Sequence, residues 1–224
     1  MKKILIAAAA LIFAAGSLSA QDYQKNIFGA KVGLNITGMT LKSGNVKVDA
    51  KARAGVSFAG TYQRLLTENL PLYLETGLEF AMAGTSYGDK TDKTIYNLWY
   101  MDIPVMVNYK FFVGDFTIYP SVGLYYALGL GGNLKNKWEY EGEKGSEKYK
   151  VFGKYDPETG EGGFLTRSDL GIRVGVTGQW QNFTVGLAYS NGFLNIANTS
   201  DDGWYGKDTK FHNWGFNISV GYNF

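Results

Sequence analysis

Eight stretches of this chain alternate between apolar residues and small or polar ones, and that period of two limits the fold more than any other feature. In the first, Phe28, Ala30, Val32, Leu34 and Ile36 share one face, and Gly29, Lys31, Gly33 and Asn35 share the other. In the last, Trp214, Phe216, Ile218, Val220, Tyr222 and Phe224 oppose Asn213, Gly215, Asn217, Ser219, Gly221 and Asn223. Six more lie near 52–62, 72–82, 101–110, 116–128, 169–180 and 183–190. Most are about 10 to 14 residues long, close to the roughly 9 to 11 that a tilted strand needs to cross a bilayer. Strands of globular domains are shorter, nearer five or six. The pattern predicts an all-β fold, an eight-stranded antiparallel up-and-down transmembrane β-barrel.

Alternation does not say which face points outward, because a soluble barrel with an apolar interior alternates too. Three features decide. The polar faces are rich in Gly, Ser, Thr, Asn and Ala, which suit the crowded inside of a narrow barrel. Their charges carry both signs: Lys31, Arg53, Lys110 and Arg173 beside Glu75, Glu79, Asp102 and Asp169. These eight are the candidates for interior ion pairs. Aromatic residues also collect at the ends of the apolar faces. Tyr62, Tyr109, Phe116, Trp180, Phe183, Tyr222 and Phe224 fall at one end, and Tyr126, Tyr189 and Trp214 nearer the other. Such rings favour membrane interfaces and form girdles.

The connections agree. Those at 65–71, 111–115 and 181–182 are short, and the others are longer. Short periplasmic turns with long extracellular loops are the outer-membrane pattern, and an even strand number puts both termini in the periplasm. Pro104 and Pro120 fall within strands and each removes a ladder donor. Pro120 is tolerable near a strand end, whereas Pro104 predicts a bulge or local break.

The first residues set the compartment. Lys2 and Lys3 precede an apolar run, 4–15, followed by Ser17, Ser19 and Ala20. This reads as a signal peptide over 1–20, because the run is too short to span a bilayer. The domain is then 21–224. There is no Cys, so no disulfide framework or thiolate metal site exists. Without Lys2 and Lys3 the acidic and basic residues balance. Lysines mixed with acids argue against a nucleic-acid surface.

The terminal stretch FHNWGFNISVGYNF, 211–224, resembles the last strand of outer-membrane barrels. The resemblance implies that the barrel assembly machinery reads it, with Phe224 and Tyr222 in the signal. Together with LWYMDIPVMVNYKF (98–111), YSNGFLNI (189–196) and the 62–84 region, it is similar to the PorT-like, "outer membrane beta-barrel domain" or "porin family", proteins of Bacteroidetes-type bacteria. The resemblance runs the length of the mature chain and implies outer-membrane lipid as surroundings. The porin name outruns the physics, since about eight strands leave an interior that side chains fill.

No catalytic, metal or cofactor set is assembled. His212 is the only histidine, near Asp201, Asp202 and Asp208. A rim hydrolase acting on lipid or peptide would use it, but its parity points outward, and a solvated loop-edge histidine is the plainer reading. DPETG, 156–160, and Asp201-Asp202-Gly203 lack a complete calcium-loop spacing. The stretch 133–167, dense in Lys and Glu with Trp138, Tyr140, Tyr149, Val151 and Phe152 interleaved, predicts an extracellular hairpin. A binding surface for an extracellular ligand or envelope protein and a plain solvated loop both fit it. The leading expectation is a non-enzymatic structural or surface-interaction protein. The alternatives are the rim enzyme and a narrow channel.

Overall fold

The computed structural model describes residues 23–89, 91–140, 142–200 and 203–224. The signal peptide expected over 1–20 lies outside the described residues, as do Asp201 and Asp202. The strands are β1 (Asn26–Ser43), β2 (Val46–Val48), β3 (Ala50–Thr67), β4 (Leu70–Gly88), β5 (Asp92–Tyr109) and β6 (Phe111–Val113). They continue as β7 (Phe116–Tyr140), β8 (Glu143–Lys150), β9 (Ser168–Trp180), β10 (Phe183–Gly192) and β11 (Thr209–Asn223). Eight of them, β1, β3, β4, β5, β7, β9, β10 and β11, form an antiparallel up-and-down ring closed by pairing of β11 with β1. The seam runs without a break from Gly29 opposite Asn223 to Ser43 opposite Thr209. Closure removes the free edges that lipid could not hydrogen-bond.

The expected faces hold. Leu34 is 63% exposed and Val185 58%, while Tyr119 and Gln63 on the opposite face are 1% and 0% exposed. Inverted burial of this kind suits a molecule solvated by hydrocarbon. From Trp214 to Tyr222 is eight residue steps. At about 3.3 Å per step and a tilt near 40°, this gives ~20 Å of height, consistent with girdles flanking an apolar band of about 25 Å.

The connections differ from expectation on both sides. The periplasmic turns are tighter than 65–71 and 111–115 suggested, because pairing continues to Thr67 opposite Leu70 and to Val113 opposite Phe116. At 181–182, Gln181 takes a positive φ of 52°, as a two-residue hairpin requires. Outside, much of what looked like loop is strand. β1 folds back onto β2 and β4 onto β5, while β7 and β8 form the hairpin expected within 133–167. Irregular backbone is concentrated at 151–167, 193–200 and 203–208.

The prolines behave differently from one another. Beside Pro104 the β4–β5 ladder lapses between Thr76/Val105 and Glu79/Asp102 with no change of register, so the break is present and the bulge is not. The bulge lies on β7 opposite Trp99/Tyr100, where Leu130 is left without a partner. Pro120 stands where pairing passes from β5 to β6, and its missing N–H interrupts neither ladder.

Candidate functional site

The barrel axis carries two charged groups, one above the other. In the lower one, Lys31 Nζ on β1 meets Glu75 Oε1 on β4 at 2.7 Å. Glu75 Oε2 accepts from Gln63 Nε2 at 2.8 Å and Asn108 Nδ2 at 2.9 Å. Among the described residues Lys110 has no such acid. Its ammonium lies 4.4 Å from the centre of the Tyr73 ring and 5.1 Å from that of Tyr119, which offers the cation two π faces.

The upper group is built on Arg173 of β9. Its guanidinium spans the lumen to Glu79 Oε2 at 2.5 Å and Asp102 Oδ2 at 2.8 Å, while Nε donates to Ser190 Oγ at 2.9 Å. One side chain thereby ties β9 to β4, β5 and β10. Asp169 sits above, accepting from Asn213 Nδ2 at 2.9 Å. Gly192 makes its room, since a Cβ there would stand 2.6 Å from Asp169 Oδ2. Arg53 is half-buried, and neither it nor Asp169 enters an ion pair among the described residues. Of the eight interior candidates, five are therefore in ion pairs (Lys31, Glu75, Glu79, Asp102 and Arg173), Lys110 lies against two rings and Asp169 accepts from an amide.

Two cavities of about 80 Å³ each remain in the lumen, and both are lined by Arg173 and Glu79. Each has room for a few waters, whose share of liquid volume is about 30 Å³. The Arg173–Glu79 contact stands between the upper cavity, with Tyr100 and Asp169, and the lower one, with Lys31 and Glu75.

Above Asp169 the outer mouth is sealed by an apolar cap that alternation did not reveal. Val151, Phe152, Phe164 and Leu165 pack with Ile196, Ala197 and Phe211 onto the inward faces of Met39, Leu41, Leu98 and Leu134. Val151 and Ile196 are fully buried. Backbone bonds fasten the two segments: Thr166 N to Ile196 O at 2.9 Å, Asn198 N to Phe164 O at 3.1 Å and Ile196 N to Phe211 O at 2.9 Å. The 133–167 stretch thus divides. Its first part is the expected hairpin, β7–β8, and its second part, 151–167, turns inward as a lid. The signal was the pairing of two apolar couples, Val151-Phe152 and Phe164-Leu165, around a polar turn.

The remaining candidates resolve simply. Asp156 Oδ1 accepts from the Glu158 N–H at 2.9 Å and Oδ2 from the Thr159 hydroxyl at 2.8 Å. Those bonds, Thr159's first, hold its carboxyl below the usual range. Its oxygens are spent on its own turn. Among the described residues no cluster of three His, Cys, Asp or Glu could hold a metal ion. His212 lies beyond the outer girdle, opposite Thr40. Partial burial, then Lys210 and Lys42, depress its imidazole below its ordinary value. A catalytic base is normally steadied by an acid, and two lysines exert the opposite influence. Phe224 is 67% exposed on the lipid side, and its N–H donates to Phe28 O at 2.8 Å. Tyr222 stacks edge-on with both Phe224 and Phe183.

Solved structures of similar fold include Ail, the attachment invasion locus protein of Yersinia pestis, at 15% identity and a TM-score of 0.40, covering 90% of this chain and 100% of that one. OprG from Pseudomonas aeruginosa matches at 10% identity and 0.42, covering 89% and 96%. Neisserial surface protein A matches at 14% identity and 0.40, covering 88% and 97%. No curated protein sequence matches. The family model for "Outer membrane protein beta-barrel domain" matches residues 6–224. The chain therefore belongs to the outer membrane protein β-barrel domain family and is an integral β-barrel protein of the bacterial outer membrane.

Proposed function

We propose that this protein is a non-conducting, non-enzymatic barrel that acts through its outer face, as a structural or surface-interaction protein. The observation that carries the reading is the doubly blocked axis: Arg173 bridges Glu79 and Asp102 across the lumen, and the 151–167 lid closes the mouth above it. A barrel obstructed at both levels has no transport path, and what it presents to the exterior is the β7–β8 hairpin and the lid. Planar-bilayer recording of the refolded protein is expected to show no stable conductance, and a reproducible open level would sink the reading. Interaction is tested by pull-down from envelope extracts with the intact chain and with the β7–β8 hairpin, 133–150, shortened. Retention of every partner by the shortened chain would remove the surface role.

The finer family reading is PorT-like, supported by the 98–111 and 189–196 stretches. The terminal strand would engage the barrel assembly machinery through Phe224 and Tyr222. Deleting Phe224 is expected to lower outer-membrane insertion in cells several-fold, while refolding in detergent is unchanged. Equal insertion in cells would refute the signal. The rim-hydrolase reading is disfavoured by the lysines around His212, and unchanged hydrolysis by a His212→Ala protein would dispose of it.

A further inference from the structure

Above the outer girdle, the face of the β4–β5–β7–β8 sheet that continues the lumen wall carries two cross-strand rows. The lower row is Thr85, Tyr96, Leu134 and Tyr149, and the upper is Tyr87, Thr94, Asn136 and Glu147. The lid covers most of the lower row: Thr85, Tyr96 and Leu134 are buried. The upper row stays accessible, and its Tyr87, Thr94 and Asn136, with Tyr149, form the floor of an open cleft of about 250 Å³. Phe164 and Trp204 wall it, their ring centroids 5.2 Å apart, and Tyr149 stands 6.3 Å from Phe164. Trp204 is 51% exposed although it is the largest side chain there.

The polar groups in this cleft are neutral and arranged. Thr94 Oγ1 donates to Asn136 Oδ1 at 3.0 Å, which fixes the amide, and Asn136 Nδ2 has no partner among the described residues. The Tyr149 hydroxyl donates to the Glu147 carboxylate at the rim. Among the described residues no Lys or Arg lines the cleft.

We infer that the cleft binds a neutral saccharide ring at the cell surface. This rests on the surface-interaction reading above and names a ligand class for it. A pyranose has one face of C–H groups and an equator of hydroxyls. The aromatic walls match the face, and the Asn136 amide with the Thr94 and tyrosine hydroxyls matches the equator. An anion would find no cation here. A purely apolar ligand would strip water from the polar floor without replacing its hydrogen bonds, which is costly. A quaternary ammonium would use the rings but leave the amide and hydroxyls idle. The volume is below the roughly 300 to 1,000 Å³ of sites that enclose drug-sized ligands, so the cleft holds one ring or the end of a chain.

The test uses the full mature chain refolded and held in a polyacrylate amphipol, which carries neither a sugar nor a quaternary ammonium headgroup to compete. Saturation-transfer NMR and calorimetry are run with the methyl glycosides of glucose, galactose, mannose and N-acetylglucosamine, and with tetramethylammonium. At least one glycoside is expected to bind saturably. Trp204→Ala and Asn136→Ala should each weaken it by about tenfold, the effect of losing one well-placed contact. Lipid-facing Trp180→Phe should leave it unchanged. Heat-modifiable gel migration reports folding, and the isosteric Thr94→Val supplies a milder lesion if Trp204→Ala fails to fold. No saturable binding of any of the four glycosides overturns the inference, as does binding indifferent to these substitutions or binding of tetramethylammonium alone. Each of those results leaves the blocked barrel and its hairpin-dependent interaction standing, since they are read by conductance and pull-down.

Discussion

At the residue scale, Arg173 matters most because it is buried against two acids. Replacing it by Met leaves Glu79 and Asp102 facing each other without a cation, and breaking a buried charge group this way costs about 3–5 kcal/mol. Urea unfolding of the folded barrel is expected to show that loss. The triple change Arg173→Met, Glu79→Gln, Asp102→Asn should recover most of it, because the orphaned charges go with their partner. A triple variant as unstable as the single one would mean that packing, not charge, is responsible. Parity in the sequence was enough to put all eight interior charges on one face. It could not pair them: Lys31 and Glu75 sit on strands separated by β3, and Arg173 reaches β4 and β5 across the barrel. Cross-lumen partners depend on the stagger of the closed ring, which no local pattern encodes. Lys110 had no pattern at all, since its partners are two ring faces.

At the element scale, β3 carries an irregularity, and β1 repairs it. Between Ala52/Thr85 and Ser57/Ala81 the β3–β4 register slips, leaving backbone groups of β4 without ladder partners. Asn35 Nδ2 and Thr37 Oγ1 of β1 reach past β3 to them, Asn35 to Met82 O at 3.3 Å and Thr37 Oγ1 from Gly84 N at 2.8 Å. Thr37→Val keeps the shape and removes the acceptor, so it should cost about 1–3 kcal/mol and raise hydrogen exchange at Gly84. Unaltered exchange there would contradict this role. Such slips also explain where reading by alternation stopped. The unpaired Leu130 shifts the phase of β7, so that Leu134 points inward although Leu128 below it faced lipid. Strict alternation sees this as noise, and the fifth segment therefore looked as if it ended at Leu128 although β7 runs on to Tyr140.

The lid belongs to this scale too, and it carries a pH dependence. The hydroxyls of Tyr96 and Tyr205 stand 2.5 Å apart beneath it. Burial first, then the neighbouring phenol, pushes Tyr96 well up, and burial pushes Tyr205 up. Below the unfolded value of about 10 both forms stay protonated and the lid keeps its full stability. As pH rises from there toward the raised folded values, the two phenols ionise first where the lid is undocked, and docking weakens. Limited proteolysis within 151–167 should accelerate between pH 9 and pH 11, and less so in Tyr205→Phe. Equal rates at both pH values would refute the coupling.

At the scale of the molecule, the two obstructions are independent, which makes the blocked axis testable as a design. The lid is held by apolar burial and backbone bonds at the mouth; the Arg173 group is held by charge at mid-barrel. Replacing 151–165 by a short Gly/Ser linker opens the mouth but leaves Arg173 bridging β4 and β9, so no conductance is expected. Truncating Arg173, Glu79 and Asp102 to Ala joins the two 80 Å³ cavities but leaves the lid in place, so again none is expected. Combining the lesions removes both, and a narrow, water-filled path should give small discrete openings in planar bilayers. Current through either single lesion would mean that the other obstruction does not seal. Silence in the combined variant would mean that the residual side chains of the eight-stranded wall fill the axis by themselves, as a ring of this strand number permits.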